Sequence, residues 1–221
     1  MAENDLVLKR AQAAVLSRDF ALAARLYKTL LKTEPGNVKL LGELGALYVK
    51  AGEDNKALPY YEQILMFSKD DFDALNSMGG VYRRLKRYDD SIRVLQQALD
   101  TGKNAAEVNY NLGFTYKLMG NYDDAIECFE SVIEDNPSDV LAYNHLGAIY
   151  ALRKDHQRAV AAYKRGLQID PNHPVLQLNL AKSFVALHND SDAAAAYEAA
   201  LRAKPGWLDA IRDYTNLLVR E

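Results

Sequence analysis

The chain has one cysteine, Cys128, which excludes an internal disulfide and a cysteine-built zinc site and suits a reducing compartment. No apolar run approaches the ~20 residues needed to cross a bilayer, so no membrane insertion is expected. The stretch Met1 to Asp5 is acidic and leads into no apolar core, so it does not read as a secretory leader. A cytoplasmic location follows from these features as the expectation. The net charge of -3 gives no basic field to gather nucleic acid. The one dense basic run, Arg83-Arg84-Leu85-Lys86-Arg87, has Asp89 and Asp90 directly behind it, so no nucleic-acid partner is expected. The histidines, His145, His156, His173 and His188, are not spaced to put two ligands on one helix face, and no metal site is assigned. His145, next to Asn144, reads as an ordinary surface histidine. Gly79-Gly80 lies in a helical pattern without the setting of a phosphate loop. No nucleophile, base and acid can be grouped. The chain is expected to be no enzyme and to carry no cofactor.

What is present is a 34-residue period without insertion or deletion. Leu44, Met78, Leu112, Leu146 and Leu180 keep that interval. So do Gly45, Gly79, Gly113, Gly147 and Ala181, and so do Tyr48, Tyr82, Tyr116, Tyr150 and Phe184. A second set follows: Ala23, Ala57, Ser91, Ala125, Ala159 and Ala193, then Tyr27, Tyr61, Leu95, Phe129, Tyr163 and Tyr197. A period of this length marks a stacked array of like units, so the 221 residues predict one elongated array rather than two globular domains.

Within a unit the apolar spacing is i, i+3, i+4, i+7, which is helical. In the unit Ala106 to Asp139, Leu112, Tyr116 and Leu118 serve a first helix and Gly120-Asn121 breaks it. Asp123 and Asp124 then open a second helix, where carboxylates suit the positive end of the dipole. Ala125, Phe129 and Val132 form its inner stripe, and Asn136-Pro137 ends it. The glycine and alanine columns let helices approach closely, and the aromatic columns fill the space between pairs. Aspartate pairs at Asp70-Asp71, Asp89-Asp90 and Asp123-Asp124 fall at turns and helix starts, where capping accounts for them.

The Leu-Gly-x-x-Tyr, Ala, aromatic, Pro pattern resembles the tetratricopeptide repeat, most closely in Glu107 to Tyr116 and Gly120 to Ile126. The resemblance implies an all-α, right-handed superhelical solenoid of antiparallel helix pairs. Six repeats would span 4–37, 38–71, 72–105, 106–139, 140–173 and 174–207, with a C-terminal capping helix over 208–221. Unit one departs from the pattern at Arg10 and Ala14, as a water-facing terminal repeat does. Lys69 and Lys103 replace the corner proline, so those two junctions are expected to be less rigid. Pro59 sits early in a second helix, where a lost backbone bond costs less.

Such arrays curl around a concave inner face. In the tetratricopeptide family the first helices line it and hold an extended peptide or partner element. Here Gly42, Ala46, Asn76 and Gly80 give that face a small floor. Tyr110 and Phe114 follow, with Arg83, Arg84 and Lys117 around them. Gly42 and Gly80 lie outside the packing column, which suggests that room is needed. Aromatic and arginine side chains together commonly anchor interfaces. Asn76, Asn111, Asn144 and Asn179 offer amides that can both donate to and accept from a peptide bond. The expected partner-binding residues are therefore Asn76, Gly80, Arg83, Arg84, Tyr110, Asn111, Phe114, Lys117 and Asn144, for an extended segment with an apolar side chain and an acidic group. The lysine and asparagine by which some relatives clamp a chaperone's terminal carboxylate are missing, with Leu8 and Gln12, or Gly42 and Ala46, in their rows. The unit 106–139 carries eight acids against the single base Lys117, whereas unit one has six bases against three acids and unit five has five against two, so charge alternates along the array.

The reading is a protein-interaction scaffold that holds a partner segment in its groove. Two alternatives stand beside it: a self-assembling structural scaffold, with the chain as a homo-oligomer, and a regulatory or partner-binding domain of a larger protein.

Overall fold

The fold repeats one motif, a helix pair closed by the same turn. The computed structural model describes residues 2–219, which contain thirteen helices and no strand. They are α1 (Ala2–Leu16), α2 (Phe20–Thr33), α3 (Val38–Lys50), α4 (Asp54–Phe67), α5 (Phe72–Arg84), α6 (Tyr88–Asp100) and α7 (Ala105–Met119). There follow α8 (Tyr122–Asp135), α9 (Val140–Leu152), α10 (His156–Ile169), α11 (Pro174–Ala186), α12 (Asp190–Ala203) and α13 (Leu208–Leu218). Arg220 and Glu221, the end of the expected capping helix, lie outside the described residues. No helix among the described residues is long and apolar enough to cross a membrane.

The chain forms two units, Met1–Thr115 and Tyr116–Glu221, with the boundary inside α7. In unit one α1 packs on α2, α3 on α4 and α5 on α6; α2 then packs on α3 and α4 on α5, and α3 touches α5. In unit two α9 packs on α10 and α11 on α12; α8 meets α9, α10 meets α11, α12 meets α13, and α9 touches α11. In both units, first helices lie beside first helices.

The turn inside each pair is set by one left-handed residue. Arg18, Gly52, Lys86, Gly120, Lys154 and His188 all have φ between 57° and 83° and recur every 34 residues. The next N–H then reaches back to the aromatic column: Glu53 donates to the Tyr48 carbonyl at 2.8 Å, Arg87 to Tyr82 at 2.9 Å and Asp155 to Tyr150 at 2.9 Å. This closes the first helix in the manner of a Schellman cap and leaves the chain reversed. The second helix of a pair is often capped by the residue that follows, as where Asp19 accepts from the Leu22 N–H at 3.0 Å and Asp155 from Arg158 at 3.1 Å.

Corners between pairs use a side-chain cap on an extended residue. Asn37 accepts from Leu40, Asp71 from Ala74, Asp139 from Ala142, and the Nδ1 of His173 from Leu176. The two corners that lack proline differ. The one at Lys69 keeps the Asp71 cap, whereas the one at Lys103 turns through Gly102 and Asn104, both with positive φ.

The glycine column makes close approaches. A Cβ on Gly45 would lie 2.8 Å from the Tyr61 ring, on Gly79 2.4 Å from Leu95, and on Gly147 2.5 Å from Tyr163. Ser91, which takes an alanine's place in its column, is buried and donates its hydroxyl to the Gly79 carbonyl at 2.8 Å. Pro59 lies inside α4 without ending it.

Candidate functional site

In unit one, five of the expected binding residues meet on α5 and α7. The Arg83 guanidinium lies 5.2 Å from the Phe114 ring centre, and Phe114 is 5.6 Å from Tyr110. Arg83 also donates to the Asn111 side-chain oxygen at 3.0 Å. The Asn111 amide donates to Asn76 at 2.9 Å, and Asn76 donates to Glu107 at 2.7 Å. The result is a polar chain from Arg83 to Glu107, packed beside two aromatic rings. Burial, and then the neighbouring charge of Arg84, lowers the Arg83 pKa.

The two arginines differ in role. Arg84 is exposed and forks onto the Asp54 carboxylate through Nε and Nη2, at 2.7 to 3.0 Å. Gly80 is open, since a Cβ there would meet nothing nearer than Arg84 at 3.9 Å. Lys117 and Asn144 belong to unit two. There Asn179 donates to the Asn144 oxygen at 3.0 Å, repeating the asparagine pairing of unit one.

Each unit has a cavity against its first helices. In unit one a cavity of about 560 Å³ is lined by Gly42, Glu43 and Ala46 of α3, Tyr61 and Ile64 of α4, and Asp71, Asp73, Ala74 and Ser77 around the start of α5, with Val38 and Lys39. In unit two a cavity of about 380 Å³ is lined by Ala148, Ala151 and Leu152 of α9, His156 and Tyr163 of α10, Asn179, Lys182 and Ser183 of α11, and Lys117. The two are equivalent: Ala46, Tyr61 and Ser77 stand three periods before Ala148, Tyr163 and Asn179. The first has an acidic lining and the second a basic one.

Profiles of the tetratricopeptide repeat match residues 14–79 and 150–217, 70–134, and 119–174. The first of these alone spans more than half of the chain. The chain belongs to the tetratricopeptide repeat family. Among solved structures, MamA is 28% identical with a TM-score of 0.69, over 78% of this chain and 94% of that one. YrrB, described as a TPR protein with an unusual peptide-binding site, is 19% identical with a TM-score of 0.68, over 87% and 100% of the two chains. PilF of Pseudomonas aeruginosa is 18% identical with a TM-score of 0.76, over 99% and 97%. The last two share the tetratricopeptide fold alone. No curated protein matches the chain significantly in sequence. The tetratricopeptide repeats make the chain a protein–protein interaction scaffold.

Within this tetratricopeptide array, burial lowers the Lys117 pKa, and Lys182 pairs with Asp213 at 3.3 Å. His145 is not the surface histidine expected. It is half-buried and stacks on Phe129 at 5.2 Å, and its pKa is held to about 4, first by burial and then by the Lys117 charge. Burial also pushes the Cys128 thiol up to about 11, which leaves it unreactive at neutral pH. The sequence reading missed Glu43, Tyr61, Asp73, Tyr163 and Ser183 as cavity residues. The tyrosines count in sequence as packing positions, yet each turns part of its surface to a cavity. Glu43 shares a 34-residue row with Asn111 and Asn179, next to the row of Asn76, Tyr110 and Asn144.

Proposed function

We propose that this scaffold holds extended partner-protein segments along its first helices, with a side chain of the segment seated in the cavity of a unit. The supporting observation is the equivalence of the two cavities: small residues of a first helix, a column tyrosine behind, and a polar residue of the next first helix recur three periods apart. A pocket repeated in step with the array suits a polypeptide, which presents side chains at regular intervals. The peptide-binding site ascribed to YrrB adds to this reading. An apolar and acidic residue fits the unit-two cavity, where Ala148, Ala151 and Leu152 stand beside Lys117 and Lys182. The cluster of Asn76, Arg83, Tyr110, Asn111 and Phe114 offers the segment aromatic surface and amide groups. Arg84, turned to Asp54, contributes less than its sequence position suggests. The six 34-residue units act as the spacing elements, and binding proceeds without catalysis, in keeping with the generally non-catalytic family.

The test is photocrosslinking in a lysate of the source organism. A photoreactive phenylalanine analogue at Ala46 or Ala148 captures a protein partner, and the same analogue at exposed Glu62 of α4 or Arg165 of α10 does not. Capture only from Glu62 and Arg165 overturns the reading.

A second reading, association of the chain with itself, is favoured by one observation. α13 leaves Leu208, Ile211 and Leu218 exposed, and its C-cap Val219 is exposed beside them. Light scattering that shows mass rising with concentration supports it, and a constant monomer mass removes it.

A further inference from the structure

We infer that the unit-one cavity seats a basic side chain, lysine or arginine, of the bound segment. This rests on the groove reading above and adds to it the charge of one anchor residue. The cavity presents three carboxylates, Glu43, Asp71 and Asp73, against the single cation Lys39. Its depth comes from small residues. Gly42 is not required by packing, since a Cβ there would meet only Ile64, at 3.8 Å, and its absence widens the cavity.

Glu43 supplies an independent observation. Its Oε2 is buried and has no hydrogen-bond partner. The same carboxylate lies beside Tyr27; burial first, and then this carboxylate, raise the tyrosine's pKa. A buried carboxylate oxygen without a donor is costly, so an arriving donor recovers that free energy. The last torsion of a glutamate is soft, so a small rotation turns an oxygen toward the cavity. A long basic side chain meets both requirements, with its aliphatic stem along Ile64 and Tyr61 and its N–H groups at the carboxylates. A metal ion suits the site less well, because among the described residues no three carboxylate, histidine or cysteine side chains are grouped to hold one.

The test titrates the ¹⁵N-labelled full chain with acetyl-Leu-X-Leu-amide, where X is arginine, norleucine or glutamate. The arginine peptide should shift the amides of residues 38–46 and 71–77 and bind about tenfold more tightly than the norleucine peptide, as expected for a charged hydrogen bond. Glu43→Gln should remove most of that preference. Asp73→Asn, at an exposed position with no capping role, should reduce the preference independently of any effect of Glu43→Gln on folding. Equal binding of the arginine and norleucine peptides at these amides overturns the basic anchor and leaves the groove reading intact. Stronger binding of the glutamate peptide also overturns it. No shift in 38–46 or 71–77 with any peptide, alongside shifts on the second helices, overturns both.

Discussion

The Asn111 amide donates to the Asn76 side-chain oxygen at 2.9 Å, joining α7 to α5 across 35 residues of sequence. Asn179 and Asn144 repeat the bond at 3.0 Å across the same separation. The asparagines of the first helices thus hold neighbouring pairs together before any ligand arrives. A side-chain amide has two donor hydrogens and two acceptor lone pairs, so capacity for a peptide remains.

Asn76 is 9% exposed and bonds both Asn111 and Glu107, so its removal leaves a donor and a carboxylate short of partners. Asn76→Ala should lower stability by about 1–3 kcal/mol. Urea unfolding followed by circular dichroism reads this as an earlier midpoint. A wild-type midpoint would mean that water replaces the bonds at no cost.

Adjacent glycines should respond with opposite sign. A Cβ on Gly79 would sit 2.4 Å from Leu95, whereas one on Gly80 has open space to 3.9 Å. Gly79→Ala should destabilise by about 1–3 kcal/mol through overpacking. Gly80→Ala should stabilise by about 0.5–1 kcal/mol, the ordinary helix gain over glycine. Thermal melts of the two variants settle it, and shifts in the same direction would contradict the packing assignment.

These glycines also show what the sequence made legible. The column through Gly45, Gly79 and Gly147 repeats because each touches one partner at a fixed place in the array, and periodicity records that. The pairing of Arg84 with Asp54 leaves no such trace, because helical spacing does not link residues 30 apart. Arg84 therefore reads as a free cation. His145 reads as exposed because it lies beside Asn144, but its ring packs on Phe129, a contact between helices that sequence position does not specify. Glu43 shows the same limit, since its orphan oxygen depends on side-chain torsion, which sequence does not specify.

The turn residue offers a third test. Lys154 has φ 63°, at the place where Gly120 has φ 83°. A left-handed conformation costs a β-carbon-bearing residue roughly 1 kcal/mol, so Lys154→Gly should raise stability by about that amount. Gly120→Ala should lower it by a similar amount. Differential scanning calorimetry reporting both variants as neutral would remove strain from the turn account.

Stability should depend on pH through His145. Its folded pKa is about 4 against an ordinary 6.5, so between those values the unfolded chain binds the extra proton. The contribution is complete above pH 6.5, declines as pH falls toward 4 and is flat below that. Its full size is on the order of 3 kcal/mol. His145→Gln should flatten the stability profile in that window. An unchanged slope in urea titrations at successive pH values would place the proton uptake elsewhere.

The most direct measurement is chemical-shift mapping of the labelled chain with the partner segment recovered by crosslinking. Shifts concentrated on α3, α5, α9 and α11, including Ala46, Ser77, Ala148 and Asn179, are the expected result. Shifts confined to α2, α4, α10 and α12 would contradict the account, because the partner would then lie on the second helices.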